Sequence, residues 1–187
     1  MKWLAALALS AILHPGIKLR DIDGVERAPL MVEKGHVSVL FFISRDCPIS
    51  NRYSPEIRRI CDEYAARGLG CSLVYVDPDL RDADAGKHAL AYGQGAYPKF
   101  ADRTHALVSA TGAAVTPEVV VVRPGGSIAY RGRIDNSYAA LGRQRSVVTE
   151  HDLRDAIDAV LAGRAVVKPE VAPIGCYIPE LVSAGRH

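Results

Sequence analysis

The stretch Asp46-Cys47-Pro48-Ile49-Ser50-Asn51 sets one cysteine between an apolar run and an amphipathic one. A thiolate is a strong nucleophile, but an ordinary cysteine, with a pKa near about 8.5, is mostly protonated at neutral pH. A cysteine in the first turn of a helix faces unpaired N–H groups and the positive end of the helix dipole. Both favour its charged form. Pro48 suits such a start, because it has no N–H to leave unpaired. Arg45 offers a nearby cation and Asp46 opposes it. Where a dithiol site would carry its second cysteine stands Ser50, whose hydroxyl offers a hydrogen bond but cannot resolve a mixed disulfide.

Four cysteines in 187 residues are too few for a disulfide scaffold, and none is spaced C-x-x-C. Cys61 sits on the apolar stripe of the amphipathic run and Cys71 opens an apolar one, so both read as core rather than chemistry. Cys176, in Pro173-Ile174-Gly175-Cys176-Tyr177-Ile178, has two readings. A tail can carry a resolving cysteine over the helix mouth, since loop closure costs grow only with the logarithm of length. Equally, Cys176 is a small apolar plug that holds the tail down. His36, His88, His105 and His151 show no ligand spacing, and no metal or cofactor is implied. The net charge of +2 comes without a run of Lys or Arg, which argues against nucleic acid as a partner.

The elements that must position these residues follow from the pattern. Residues 17–32 alternate around Asp23-Gly24 as a β-hairpin. Residues 37–44 are a nearly continuous apolar run, a strand covered on both faces. Ile57, Ile60, Cys61 and Tyr64 mark a helix over 54–67, stopped by Gly68. Residues 71–77 form a second buried strand, followed by a polar stretch with short helices near 87–92 and 105–112. Two strands, 118–123 and 127–133, flank the turn Pro124-Gly125-Gly126. Thr149 reads as the N-cap of a helix that Gly163 ends. The last 24 residues show no periodicity and read as an extended arm on the domain.

A strand ending at a cysteine, a helix starting there and Pro55 eight residues on resemble the active-site helix of the thioredoxin superfamily. Thr116-Pro117 before a strand is similar to that superfamily's cis-proline, and the closing hairpin and helix to its last elements. The opening hairpin and the insert between Asp77 and Thr116 resemble its redoxin branch, which includes peroxide-reducing antioxidant proteins and exported thiol-disulfide oxidoreductases. The resemblance covers residues 17–163 and implies an α/β fold: a thioredoxin-like three-layer structure with a central mixed sheet, helices on both faces, an N-terminal hairpin and a C-terminal arm, 164–187. It implies a cis Thr116–Pro117 bond whose edge holds a bound polypeptide beside Cys47. It also implies a hydroxyl near the cysteine of peroxidases, here Ser44, and an arginine that neither Arg123 nor Arg131 supplies securely. Asp135 reads as a turn residue or an arginine partner.

Residues 1–16 begin MKWLAALALSAIL, too short to cross a bilayer and matching the n- and h-regions of a secretory signal, although no A-x-A site follows. The alternative is a segment packed on the domain. The expected activity is thiol-disulfide exchange by a single active-site cysteine, Cys47 in a C-x-x-S motif, on protein thiols or disulfides in the cell envelope, with Ser50, Pro117 and Cys176 as the other candidate residues and an external thiol as reductant. A thiol peroxidase acting on peroxide and a non-catalytic binding module are the alternatives. The reading requires the Cys47 sulfur to be kept ionised, reachable from water and close to the 116–117 bend.

Overall fold

The computed structural model describes residues 16–181, so the segment on which the export reading rests lies almost wholly outside it. Strands β1 (Leu19–Arg20) and β2 (Glu26–Arg27) pair antiparallel about Asp21. The Asp21 carboxylate accepts the N–H groups of Asp23 and Val25 and bonds Arg27, which closes the expected hairpin. Strand β3 (Val37–Ile43) shows why its sequence is apolar throughout. Val39, Phe41 and Ile43 enter one core, while Leu40 and Phe42 enter the other.

Helix α1 (Pro48–Ala65) begins six residues before the start read from periodicity. Ser54-Pro55 imitates an N-cap followed by a first-turn proline. In the fold Cys47 is the N-cap, Pro48 takes the first turn and Pro55 lies inside the helix. Strand β4 (Leu69–Tyr75) follows, then α2 (Asp82–Ala91), β5 (Lys99–Ala101) and α3 (Ala106–Thr111). Three residues are too short a run to announce β5 by periodicity. Strand β6 (Val115–Thr116) precedes β7 (Glu118–Val122) and β8 (Ile128–Gly132), the expected closing hairpin. A small ribbon of β9 (Tyr138–Ala140) and β10 (Arg143–Gln144) leads to α4 (Asp152–Leu161).

Thr149 is not the cap of that last helix, which His151 precedes. The Thr149 N–H donates to the side chain of Asn136, whose Nδ2 donates to the Thr149 hydroxyl, so Thr149 anchors a loop instead. The arm contributes β11 (Glu170–Val171) and β12 (Cys176–Tyr177). The main sheet runs β11-β8-β7-β3-β4-β5, with β3–β4, β4–β5 and β8–β11 parallel and the pairs through β7 antiparallel. One core joins this sheet to Ile57, Ile60 and Tyr64 of α1, Ala85 and Ala89 of α2, and Leu153 and Ile157 of α4. The other joins it to Leu107 of α3 and Leu30. This is the three-layer, mixed-sheet thioredoxin-like fold.

Two readings of the cysteines change. Cys61 and Cys71 are core residues, but they are joined in a disulfide that ties α1 to β4, with Cα atoms 6.0 Å apart. The arm is extended as expected, and its course is set by the two strand pairings.

Candidate functional site

The mouth of α1 is held from beneath by a polar chain. Ser44 donates to Asp77 Oδ1 at 2.6 Å, and the Arg45 N–H reaches Asp77 Oδ2 at 3.1 Å. His88 lies 2.9 Å from both Asn51 Oδ1 and the Tyr75 hydroxyl. Burial holds the His88 imidazole below its ordinary pKa. A neutral ring facing the Asn51 oxygen must carry its proton on Nε2, so Nδ1 accepts from Tyr75. Asn51 Nδ2 in turn donates to the Arg45 carbonyl, which fixes the loop entering Cys47. Sequence reading missed His88, Tyr75 and Asn51 because they lie far apart in the chain or inside regular elements.

Cys47, Ser50, Thr116-Pro117 and Cys176 come together above this base. The Thr116–Pro117 peptide is cis. Cys47 Sγ lies 3.2 Å from the Thr116 carbonyl oxygen and 2.7 Å from Cys176 Sγ, across 129 residues of sequence. Both cysteines are free. The Ser50 hydroxyl is buried without a conventional hydrogen-bond partner, beside the Cys47 sulfur. Cys176 is placed by β12, which pairs antiparallel with β6 in the register Cys176 to Thr116 and Tyr177 to Val115. The Ile178 N–H extends the ladder to the Ala114 carbonyl at 3.0 Å. One expectation fails here: Cys47 is only 2% exposed, because the arm covers it.

The two sulfurs differ in charge preference. Burial works against the Cys47 thiolate, but hydrogen bonds from Cys176, Ser50 and Thr116 outweigh it and hold the thiol below its ordinary pKa. Burial and the neighbouring Cys47 push the Cys176 thiol up to about 12. Of the two sulfurs, Cys47 is therefore the one whose ionisation is favoured, and Cys176 is the one that keeps its proton. Arg45 is not spent on the sulfur, since its guanidinium bonds Asp46.

The remaining candidates lie elsewhere. Arg131 bonds the Thr111 and Gly112 carbonyls and pairs with Glu118 and Glu170, so it is a bracket between β7, β8 and the arm rather than a solvated charge. The Nε of Arg123 is buried without a partner. Among the described residues no arginine pairs with Asp135. It accepts the Tyr53 hydroxyl at 2.7 Å and the Ser137 N–H, while burial and this carboxylate raise the Tyr53 pKa. A cleft of about 630 Å³ lies over Cys61 and Cys71, away from the free sulfurs. Among the described residues no group of three or more His, Cys, Asp or Glu is arranged to hold a metal.

The Redoxin family profile matches residues 27–144. The chain belongs to the Redoxin family. This Redoxin shares 27% identity with an uncharacterized conserved protein of Geobacillus kaustophilus, over 91% of each chain, with a TM-score of 0.79. A hypothetical protein of Sinorhizobium meliloti is 28% identical over 91% of this chain and 92% of its own, with a TM-score of 0.74. A secreted disulfide oxidoreductase of Mycobacterium tuberculosis shares the fold at 12% identity and a TM-score of 0.54, over 79% of this Redoxin and 96% of its own chain. No curated protein matches the chain. The profile match ends at residue 144, so the arm and Cys176 lie beyond it.

Proposed function

We propose that the protein is a thiol-disulfide oxidoreductase in which Cys47 and Cys176 are the exchanging pair. The observation that carries this reading is the 2.7 Å approach of the two sulfurs beside the Thr116–Pro117 edge. Cys47, reached once the arm that covers it shifts aside, attacks as the thiolate one sulfur of a substrate disulfide. The substrate S–S bond breaks, a mixed disulfide forms, and one substrate thiolate leaves. The charge on Cys47 is then gone, and with it the negative neighbour that helps hold the Cys176 proton. Cys176 passes that proton to the leaving thiolate and attacks Cys47 Sγ. The second substrate sulfur departs as a thiolate. Two electrons have moved to the substrate, and the protein carries a Cys47–Cys176 disulfide that an external dithiol reduces by the same steps. Run backwards, the sequence gives the disulfide to a protein dithiol.

Ser50 and the α1 N-terminus favour the thiolate, and Pro117 shapes the edge beside it. The N-terminal sequence supports work in an exported compartment, as does the Cys61–Cys71 bond, since such bonds persist where the surroundings are oxidising. No helix among the described residues is long and apolar enough to cross a membrane. Ser44 and Arg45, the groups nearest to a peroxide-binding set, are taken by Asp77 and Asp46, which favours exchange over peroxide reduction.

Non-reducing peptide mass spectrometry after mild oxidation tests the pair. The expected product joins Cys47 to Cys176, alongside the Cys61–Cys71 link. Its absence overturns the reading. With a model disulfide protein as substrate, turnover that survives Cys47→Ala leaves only a binding module. Stoichiometric peroxide consumption without disulfide exchange makes the protein a peroxidase.

A further inference from the structure

Strand β6 belongs to no part of the main sheet; its backbone partner among the described residues is the arm. If the arm lifts, the Ala114 carbonyl and the backbone of Thr116 lie open beside the Cys47 sulfur, while the Ala114 and Val115 N–H groups stay on Glu118 Oε2. An open strand edge of this kind takes another extended chain through main-chain hydrogen bonds. The seat is shaped for one sequence step in particular. Gly175 is buried, and a Cβ placed on it would lie 2.7 Å from the Thr116 carbonyl carbon and closer still to its oxygen. The obstructing atoms are backbone and cannot swing away. The next residue, Cys176, meets Cys47, and the one after it, Tyr177, turns its side chain out to solvent at 85% exposure. Ile174 and Ile178 drop onto the two separate cores at either end.

We propose that the polypeptide edge at β6 selects a Gly-Cys step, and that residues 174–178 are its resident occupant. The arm is thus a copy of the ligand carried on the same chain, and an outside polypeptide gains Cys47 only by displacing it. The edge demands glycine before the cysteine, tolerates any side chain after it, and favours an apolar residue at each flank. A second notch shows that the arm is fitted rather than draped. Gly132 of β8 (φ +151°) has no room for a Cβ, which would lie 2.9 Å from the Val171 carbonyl carbon. The significance of the incoming cysteine rests on the thiol-exchange reading; the docking itself does not, and the test below contains no thiol chemistry.

The probe is a fluorescent nonapeptide, Ala-Pro-Ile-Gly-Ser-Tyr-Ile-Pro-Glu, which copies residues 172–180 with serine for the cysteine. Anisotropy is read on the reduced full-length chain and on its Gly175→Ala variant, whose own arm no longer fits. Since apparent affinity scales with the fraction of open edge, the variant is expected to bind at least about tenfold more tightly than the unaltered chain. The same peptide with alanine for glycine is expected to bind neither. Equal binding to both proteins, equal binding of both peptides, or no binding at all overturns the proposal. Hydrogen exchange on the unaltered chain gives an answer that does not depend on the variant folding. Saturating peptide should speed exchange in segment 174–178 while 114–116 stays protected. Continued protection of both segments at saturation overturns the proposal as well. Loss of exchange activity with these binding results intact would instead sink the oxidoreductase reading and leave the docking strand standing.

Discussion

Helix α1 carries two cysteines about four turns apart, and each meets its partner on different terms. Cys61 faces Cys71 across the packed interface of α1 and β4, ten positions away in sequence, and the two are bonded. Cys47 faces Cys176 at the open end of the helix, 129 residues away, and the two are free. The inner pair lies in the body of α1 and β4, away from any helix N-terminus, and serves as a cross-link. The outer pair has a helix N-terminus, the Ser50 hydroxyl and a partner strand that belongs to the arm. Position along one helix thus separates a cysteine that stabilises from one poised to react.

This contrast can be broken most severely at Cys47. Cys47→Ala should reduce disulfide exchange to the uncatalysed level, read by turnover of a model disulfide protein. Cys176→Ala should spare the first attack but cut turnover by at least about tenfold, with the mixed disulfide accumulating in non-reducing gels. The inner pair should behave in the opposite way. Cys61→Ala/Cys71→Ala should cost about 2–3 kcal/mol in urea unfolding, the usual worth of a short cross-linked loop, and lower the melting temperature by roughly 5–10 °C. Its turnover should stay within about a factor of two.

The smallest effect concerns pH. The Cys47 pKa is depressed in the fold, so its thiolate stabilises the reduced protein above the unfolded thiol value, and that contribution fades as pH falls through the folded value. Ser50→Ala should raise the pH midpoint of Cys47 alkylation, read by mass spectrometry, and by the same linkage remove part of that high-pH stabilisation. The Ser50 hydroxyl has no other partner to lose. A midpoint that does not move would remove Ser50 from the site.

How much of this the sequence discloses depends on the length scale of each signal. The apolar runs of β3, β4 and β7 declare buried strands, and Asp46-Cys47-Pro48 together with Thr116-Pro117 indicates both halves of the site. Periodicity also puts Cys61 on a buried stripe and Cys71 in a strand. Their bond stays hidden because it depends on where the turn at Gly68 returns the chain. The start of α1 is misread since Ser54-Pro55 satisfies the same local chemistry as a true helix start. Thr149 misleads similarly: the Asn136 that claims it is 13 residues upstream in the chain. Gly175 is the clue most easily passed over. A glycine ahead of a cysteine in an aperiodic tail reads as slack, and only the Thr116 backbone shows that it is a fitted contact.

Because the second sulfur travels on a tail and is not locked into α1, the redox couple inherits the docking equilibrium of that tail. The dithiol closes to a disulfide at a rate and to an extent set by the local concentration of Cys176 that docking provides. A tenfold loosening of the arm therefore shifts the couple by roughly 30 mV toward the oxidising side. Warmth, mild denaturant or a competing strand would each act on the sulfur chemistry through the tail, without touching either sulfur.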